Sequence, residues 1–178
     1  MQEQAPKAMA TWLGTLARGG VVSDENARAG LAVAAYVVGE NRLAEVREWL
    51  ASQPADVVLR EKRAAIEVCI WMAHADRELA SEERVLLHRI VEASGLDAAT
   101  YGTLLAATRD PPSLASVERR LTHPVLRELL LALSWELASA DGRVTRGESD
   151  FYSGLARKLE IDLARAEEIR AAVSHRIV

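Results

Sequence analysis

The run Ser139-Ala140-Asp141-Gly142-Arg143-Val144-Thr145-Arg146-Gly147-Glu148 carries residues in the pattern of a cation-binding loop. From Asp141 onward it follows the later positions of a calcium-binding EF-hand loop: an Asp-Gly turn, an aliphatic residue at Val144 and an acid at Glu148. The first ligand position of such a loop falls on Leu137, whose side chain has no oxygen. Asp141 and Glu148, even with a backbone carbonyl, fall short of the roughly six to eight oxygens that calcium prefers.

The same half loop occurs once more. Asp141 lies 65 residues after Asp76, and Glu148 lies 65 residues after Glu83. In the earlier copy the first and third ligand positions fall on Met72 and His74, so it is equally incomplete. If the two loops meet, Asp76, Glu83, Asp141 and Glu148 form a set of four carboxylates. Such a set binds a hard divalent cation (calcium, magnesium, manganese or zinc), with water completing the shell. A purely structural reading stands beside this one. An Asp at a helix end satisfies loop N–H groups, and Glu148, three residues after Thr145, closes a capping box. Arg77 occupies the place of Gly142, while Arg143 and Arg146 offset charge beside the second loop and Glu78 and Glu82 restore acidity to the first.

Helices must position these groups, because every long segment has helical rather than alternating periodicity. The expected elements are Ala5–Ala17, a helix capped by Ser23 or Asp24 and running through Ala32–Val38, and Arg42–Leu50, closed by Pro54. A long helix over Asp56–His74 is apolar on more than one side and therefore central. Ser81 is expected to cap a helix ending at Gly95, and Asp97 one closing before Asp110-Pro111-Pro112. A short piece over Leu114–Leu121 precedes an apolar helix over Val125–Leu137, opened by Pro124. Thr145 and Asp162 cap the last two helices.

The 65-residue offset also pairs Ile66 with Leu131, Ile70 with Trp135, Ala73 with Ala138, Ile90 with Leu155, Leu96 with Ile161 and Asp97 with Asp162. A shared register of acids, core positions and caps points to internal duplication. The expected fold is an all-α bundle of about seven to nine helices with two pseudo-twofold-related halves. Residues 55–178 form the duplicated domain, and residues 1–54 form a helical extension packed on the core or docking a partner.

Composition narrows the function classes. Hydrophobic residues are 49% of the 178 but aromatics only 4%, so the core is aliphatic. A net charge of −4, with basic residues scattered among acids, argues against nucleic acid as a partner. Arg60-Glu61-Lys62-Arg63 reads as a solvated helix face. The one cysteine, Cys69, lies in an apolar run and reads as a buried structural thiol rather than a nucleophile. The N-terminal stretch lacks the pattern of a signal peptide, and no apolar run is long enough for membrane insertion, so a soluble cytoplasmic protein is expected. His74 near the first loop reads as a helix-end hydrogen bonder, and Trp12, Trp49, Trp71 and Trp135 read as core. No nucleophile–base pair can be named, so no enzyme is expected, and no organic cofactor.

The stretches "CIWMAHADRELASEERVLLHRIVEASGL" and "LSWELASADGRVTRGESDFYSGLARKLEID" resemble the repeated motif of the TerB-like tellurite-resistance family. That motif has an apolar helix, Ala-x-Asp-Gly, a short loop, a Glu, and a helix ending near Gly-Leu; the resemblance covers roughly residues 60–173. It implies an all-helical, intracellular, mostly bacterial, non-enzymatic stress-response protein. It also implies acidic motif residues that bind metal, here Asp76, Glu83, Asp141 and Glu148, and a protein partner associated with the membrane. Arg77 departs from the family's Gly. The alternative reading is a metal-free helical adaptor whose first fifty-odd residues dock a partner through Trp12, Leu13 and Leu16.

Overall fold

Helical periodicity carries into three dimensions in the computed structural model, which describes residues 34–75, 81, 96–107, 110, 113–139 and 142–175. Residues 34–38 are helical. They are followed by α1 (Glu40–Ser52), α2 (Ala55–Ala73), α3 (Ala98–Ala107), α4 (Val117–Arg120), α5 (Pro124–Ala138), α6 (Arg146–Lys158) and α7 (Leu163–Ser174). Among the described residues there is no strand, and the chain is an all-α bundle. The helices expected over Ala5–Ala17 and from Ser81 to Gly95 lie outside the described residues, except Ser81, which is itself helical rather than a flanking cap.

Two helices form the centre. Pro124 opens α5 at the position where its missing N–H would have had no partner. Val125, Leu126, the run from Leu129 to Leu133, Trp135 and Ala138 are then all buried. Such a helix is apolar on every side and must be surrounded. It packs on α1, α2, α6 and α7. On α2, Ala64, Ala65, Ile66, Val68, Cys69, Ile70 and Met72 are buried. Burial pushes the Cys69 thiol up to about 12, so it stays protonated and inert. Ala34, Val37 and Val38, with Leu43, Val46 and Leu50 of α1, enter the same core, so residues 34–50 are not a detached arm.

The outer helices have legible ends. Thr145 and Glu148 make a full capping box at the start of α6. Asp97 Oδ1 accepts from Thr100 N–H at 2.9 Å, and Asp162 Oδ1 accepts from Arg165 N–H at 2.9 Å, so two positions 65 residues apart carry the same N-cap. At the end of α6, Ile161 N–H donates to Ala156 O and Glu160 N–H to Arg157 O, the paired bonds of a Schellman motif. Glu160 takes the left-handed conformation there, φ 59°, without being Gly. No helix among the described residues is long and apolar enough to cross a membrane.

Buried polar residues join these elements. Glu61 is fully buried, which corrects the expectation of a solvated face over Arg60–Arg63. It shares a helix face with Ala65, Val68 and Met72, and its carboxylate accepts from Thr122 N–H at 3.1 Å and from Thr122 Oγ1 at 2.6 Å. Burial pushes its pKa up against those hydrogen bonds. Arg127 donates to Leu121 O, Glu118 O and Leu159 O at 2.6, 2.7 and 3.2 Å, filling carbonyls at the ends of α4 and α6. Glu128 receives Arg42 at 2.6 and 2.9 Å and Arg165 at 2.7 and 3.0 Å, and Arg165 also donates to Val37 O at 2.8 Å.

One acid thus ties the 34–52 segment, α5 and α7. Burial works to raise the Glu128 pKa, but the two guanidiniums outweigh it and hold the carboxyl below its ordinary value. Its stabilising contribution is complete above the ordinary 4.5 and is lost as pH falls through the depressed folded value. Glu128→Gln leaves both cations without their shared anion and is expected to lower unfolding free energy by about 3 kcal/mol at pH 7. Urea midpoints at pH 7 and pH 3 measure this, and the gap between variant and parent narrows at the lower pH.

Candidate functional site

Of the four acids singled out by their spacing, Glu148 is placed by the structure; Asp76, Glu83 and Asp141 lie outside the described residues. Glu148 sits at the third position of α6 and is 3% exposed. Its Oε2 accepts from Thr145 N–H at 2.7 Å and from Thr145 Oγ1 at 2.9 Å, while Glu148 N–H donates back to Thr145 Oγ1 at 3.2 Å. Its other oxygen takes no hydrogen bond from a described residue. One oxygen therefore closes the helix start and one remains for a ligand, a fit for monodentate coordination and not for a complete site. Among the described residues no group of three or more His, Cys, Asp or Glu could hold a metal ion.

The loop before α6 is shaped by Gly142, whose φ of 80° favours glycine. Its N–H donates to Ser139 O at 3.0 Å, making a tight turn just past α5. Arg146, expected to offset charge at the site, reaches instead to Asp150 at 3.7 Å, and both side chains are largely exposed. Such a pair contributes little.

Aromatic side chains fix the framework around these turns. Trp71, in the last turn of α2, stacks on Phe151 of α6 with ring centroids 6.5 Å apart and planes 9° from parallel. The contact holds the end of α2, just before the first acidic loop, against the helix that Glu148 opens. Trp135 meets Tyr152 edge-on at 5.0 Å, donates from Nε1 to Ser174 Oγ at 3.1 Å and carries Arg170 over its ring. Tyr152 in turn donates to Ala166 O at 2.7 Å, and burial raises its hydroxyl pKa further out of reach of proton chemistry. His74 is the residue that closes α2.

Glu61, Glu67 and Glu128 are the buried acids that spacing alone did not single out. Their signal was present: Glu61 falls on the face of Ala65, Val68 and Met72, and Glu128 on that of Val125, Ala132 and Trp135. Each is bound by described residues, Glu67 by Arg63 and Arg120, so all three act as structural pins.

A family model described as "Tellurite resistance protein TerB" matches residues 62–171, from within α2 to the later part of α7. No curated protein and no solved structure matches the chain.

The capping role of Glu148 has a direct consequence for stability. Thr145→Ala removes the hydroxyl that binds the Glu148 N–H and is expected to cost about 1 kcal/mol. Glu148→Gln, which keeps a capping-box residue, is expected to cost less. Thermal unfolding of the two variants in chelator-treated buffer ranks them; the reverse order would show that the Glu148 charge matters more than its cap.

Proposed function

The chain belongs to the TerB tellurite-resistance family, and from that premise we propose that it is a non-enzymatic, cation-responsive stress protein. In this reading Asp76, Glu83, Asp141 and Glu148 share one divalent cation. The observation that carries it is the Trp71–Phe151 stack, which sets the end of α2 beside the helix opened by Glu148. Chain connectivity places Asp76 one residue beyond Ala75, within about 3.8 Å between Cα atoms. Glu148 contributes its uncapped oxygen, and the other three acids supply the remaining protein ligands, with water completing the shell. The 65-residue register and the matching caps at Asp97 and Asp162 support two related halves that deliver one loop each. A protein partner reads the cation-bound state, and the buried, protonated Cys69 fits a cytoplasmic setting.

A second reading, a metal-free helical adaptor, is favoured by the capping bonds of Glu148, which account for that acid without a cation. Since residues 34–50 supply core side chains, its docking segment falls within residues 1–33, which contain Trp12, Leu13 and Leu16.

The two readings differ in one experiment. Four acids in one pocket repel, so a cation bound only by the native state raises the melting temperature with concentration. The stabilisation is about 2.7 kcal/mol at a hundredfold excess over Kd. Calorimetric and melting titrations with calcium, magnesium, manganese and zinc are expected to show binding by at least one. Asp141→Asn combined with Glu148→Gln abolishes it. No heat and no thermal shift with any cation leaves the adaptor.

A further inference from the structure

We propose that the contact between His123 and Trp49 makes the docking of α1 on α5 sensitive to mild acid, with protonation of His123 Nδ1 releasing α1 from the bundle. His123 lies just before Pro124, the residue that opens α5 and has no N–H. The first free N–H of the helix is that of Val125, and it donates to His123 Nδ1 at 3.2 Å. The imidazole thus acts as an N-cap through an unprotonated ring nitrogen. Its other side faces α1, where the Trp49 ring lies 4.9 Å away, tilted by 45°. The same ring therefore caps α5 and holds α1.

Protonation of Nδ1 turns an acceptor into a donor facing another donor. The Val125 hydrogen bond is lost, and a positive charge is placed at the positive end of the α5 dipole. The charged groups around the ring come from three helices. From α1, Glu45 favours the charged form and Arg42 opposes it. From α2, the buried Glu61 binds the neighbouring Thr122. Along α5 follow Arg127, engaged at helix ends, and Glu128, already shared by two guanidiniums. Attraction to Glu45 and to the Trp49 face favours the cation, but burial, the largest influence, holds His123 below its ordinary value, with Arg42 adding to it. With the folded value depressed, stability is present above 6.5 and is lost as pH falls through 6.5 toward the folded value. Glu128 is held below 4.5 and keeps its charge throughout this window.

The full chain, followed by hydrogen–deuterium exchange at pH 7.5 and 5.5 with intrinsic rates corrected, tests the inference. Protection of Glu40–Ser52 is expected to fall about fivefold in acid while that of Leu163–Ser174 holds. His123→Asn offers Oδ1 to the Val125 N–H without titrating, and its α1 protection is expected to be equal at both pH values. An NMR titration of the parent protein, which needs no variant, is expected to place the His123 midpoint below 6.5. Loss of α1 protection that persists in His123→Asn would overturn the proposal, as would a His123 midpoint at or above 6.5.

Discussion

A helix buried on every side must find a partner for each polar group it carries, and α5 imposes that requirement on the rest of the bundle. Its apolar run from Leu129 to Leu133 leaves no solvated face at its middle, so α1, α2, α6 and α7 close around it. The polar side chains of α5 then become joints. Arg127 fills the carbonyl ends of α4 and α6, and Glu128 collects one guanidinium from α1 and one from α7. Glu61 does the converse from α2, reaching the chain just before α5 begins. Removing one member of such a set leaves a desolvated group without its partner, which costs more than the pair contributes in net stability.

The duplicated register meets this centre asymmetrically. Asp97 and Asp162 cap their helices by the same bond, yet the position equivalent to Gly95 is Glu160, held in a left-handed conformation. Glycine reaches that conformation without steric cost. In the second copy the Schellman bonds and an ion pair between Arg127 and Glu160 at 2.5 Å hold a non-glycine residue there. A similar exchange separates the loops: Gly142 makes the turn of the second at φ 80°, where the first has Arg77. Two copies that diverged in this way deliver unequal half sites, so a shared cation is held mainly from the Asp141 and Glu148 side.

The helical skeleton was legible because its signals are local. The capping box at Thr145, the caps at Asp97 and Asp162, Pro124 at a helix start and the apolar breadth of α2 depend on neighbours within one or two turns. The buried acids were not, since a charged residue reads as solvated until its partner is known. Thr122 lies 61 residues from Glu61, and Arg42 lies 86 from Glu128. The role of residues 34–50 was hidden for the same reason: nothing local tells a docked amphipathic helix from one that awaits a partner. For the acidic site, spacing identified Glu148 but left cap and ligand as alternatives, and its geometry supplies the cap with one oxygen and leaves the other.

The central claim is that packing around α5 brings two acidic loops to a single cation, and paramagnetic broadening by manganese tests it most directly. Substoichiometric manganese added to the nitrogen-15-labelled full chain broadens amides within roughly 15–20 Å, a range shorter than a helix of about 20 residues is long. The account predicts that amides of Asp76–Glu83 and Asp141–Glu148 broaden together, in the same proportion, and recover together when magnesium is added in excess. Broadening of one loop without the other, or of scattered surface acids with neither loop preferred, would contradict it.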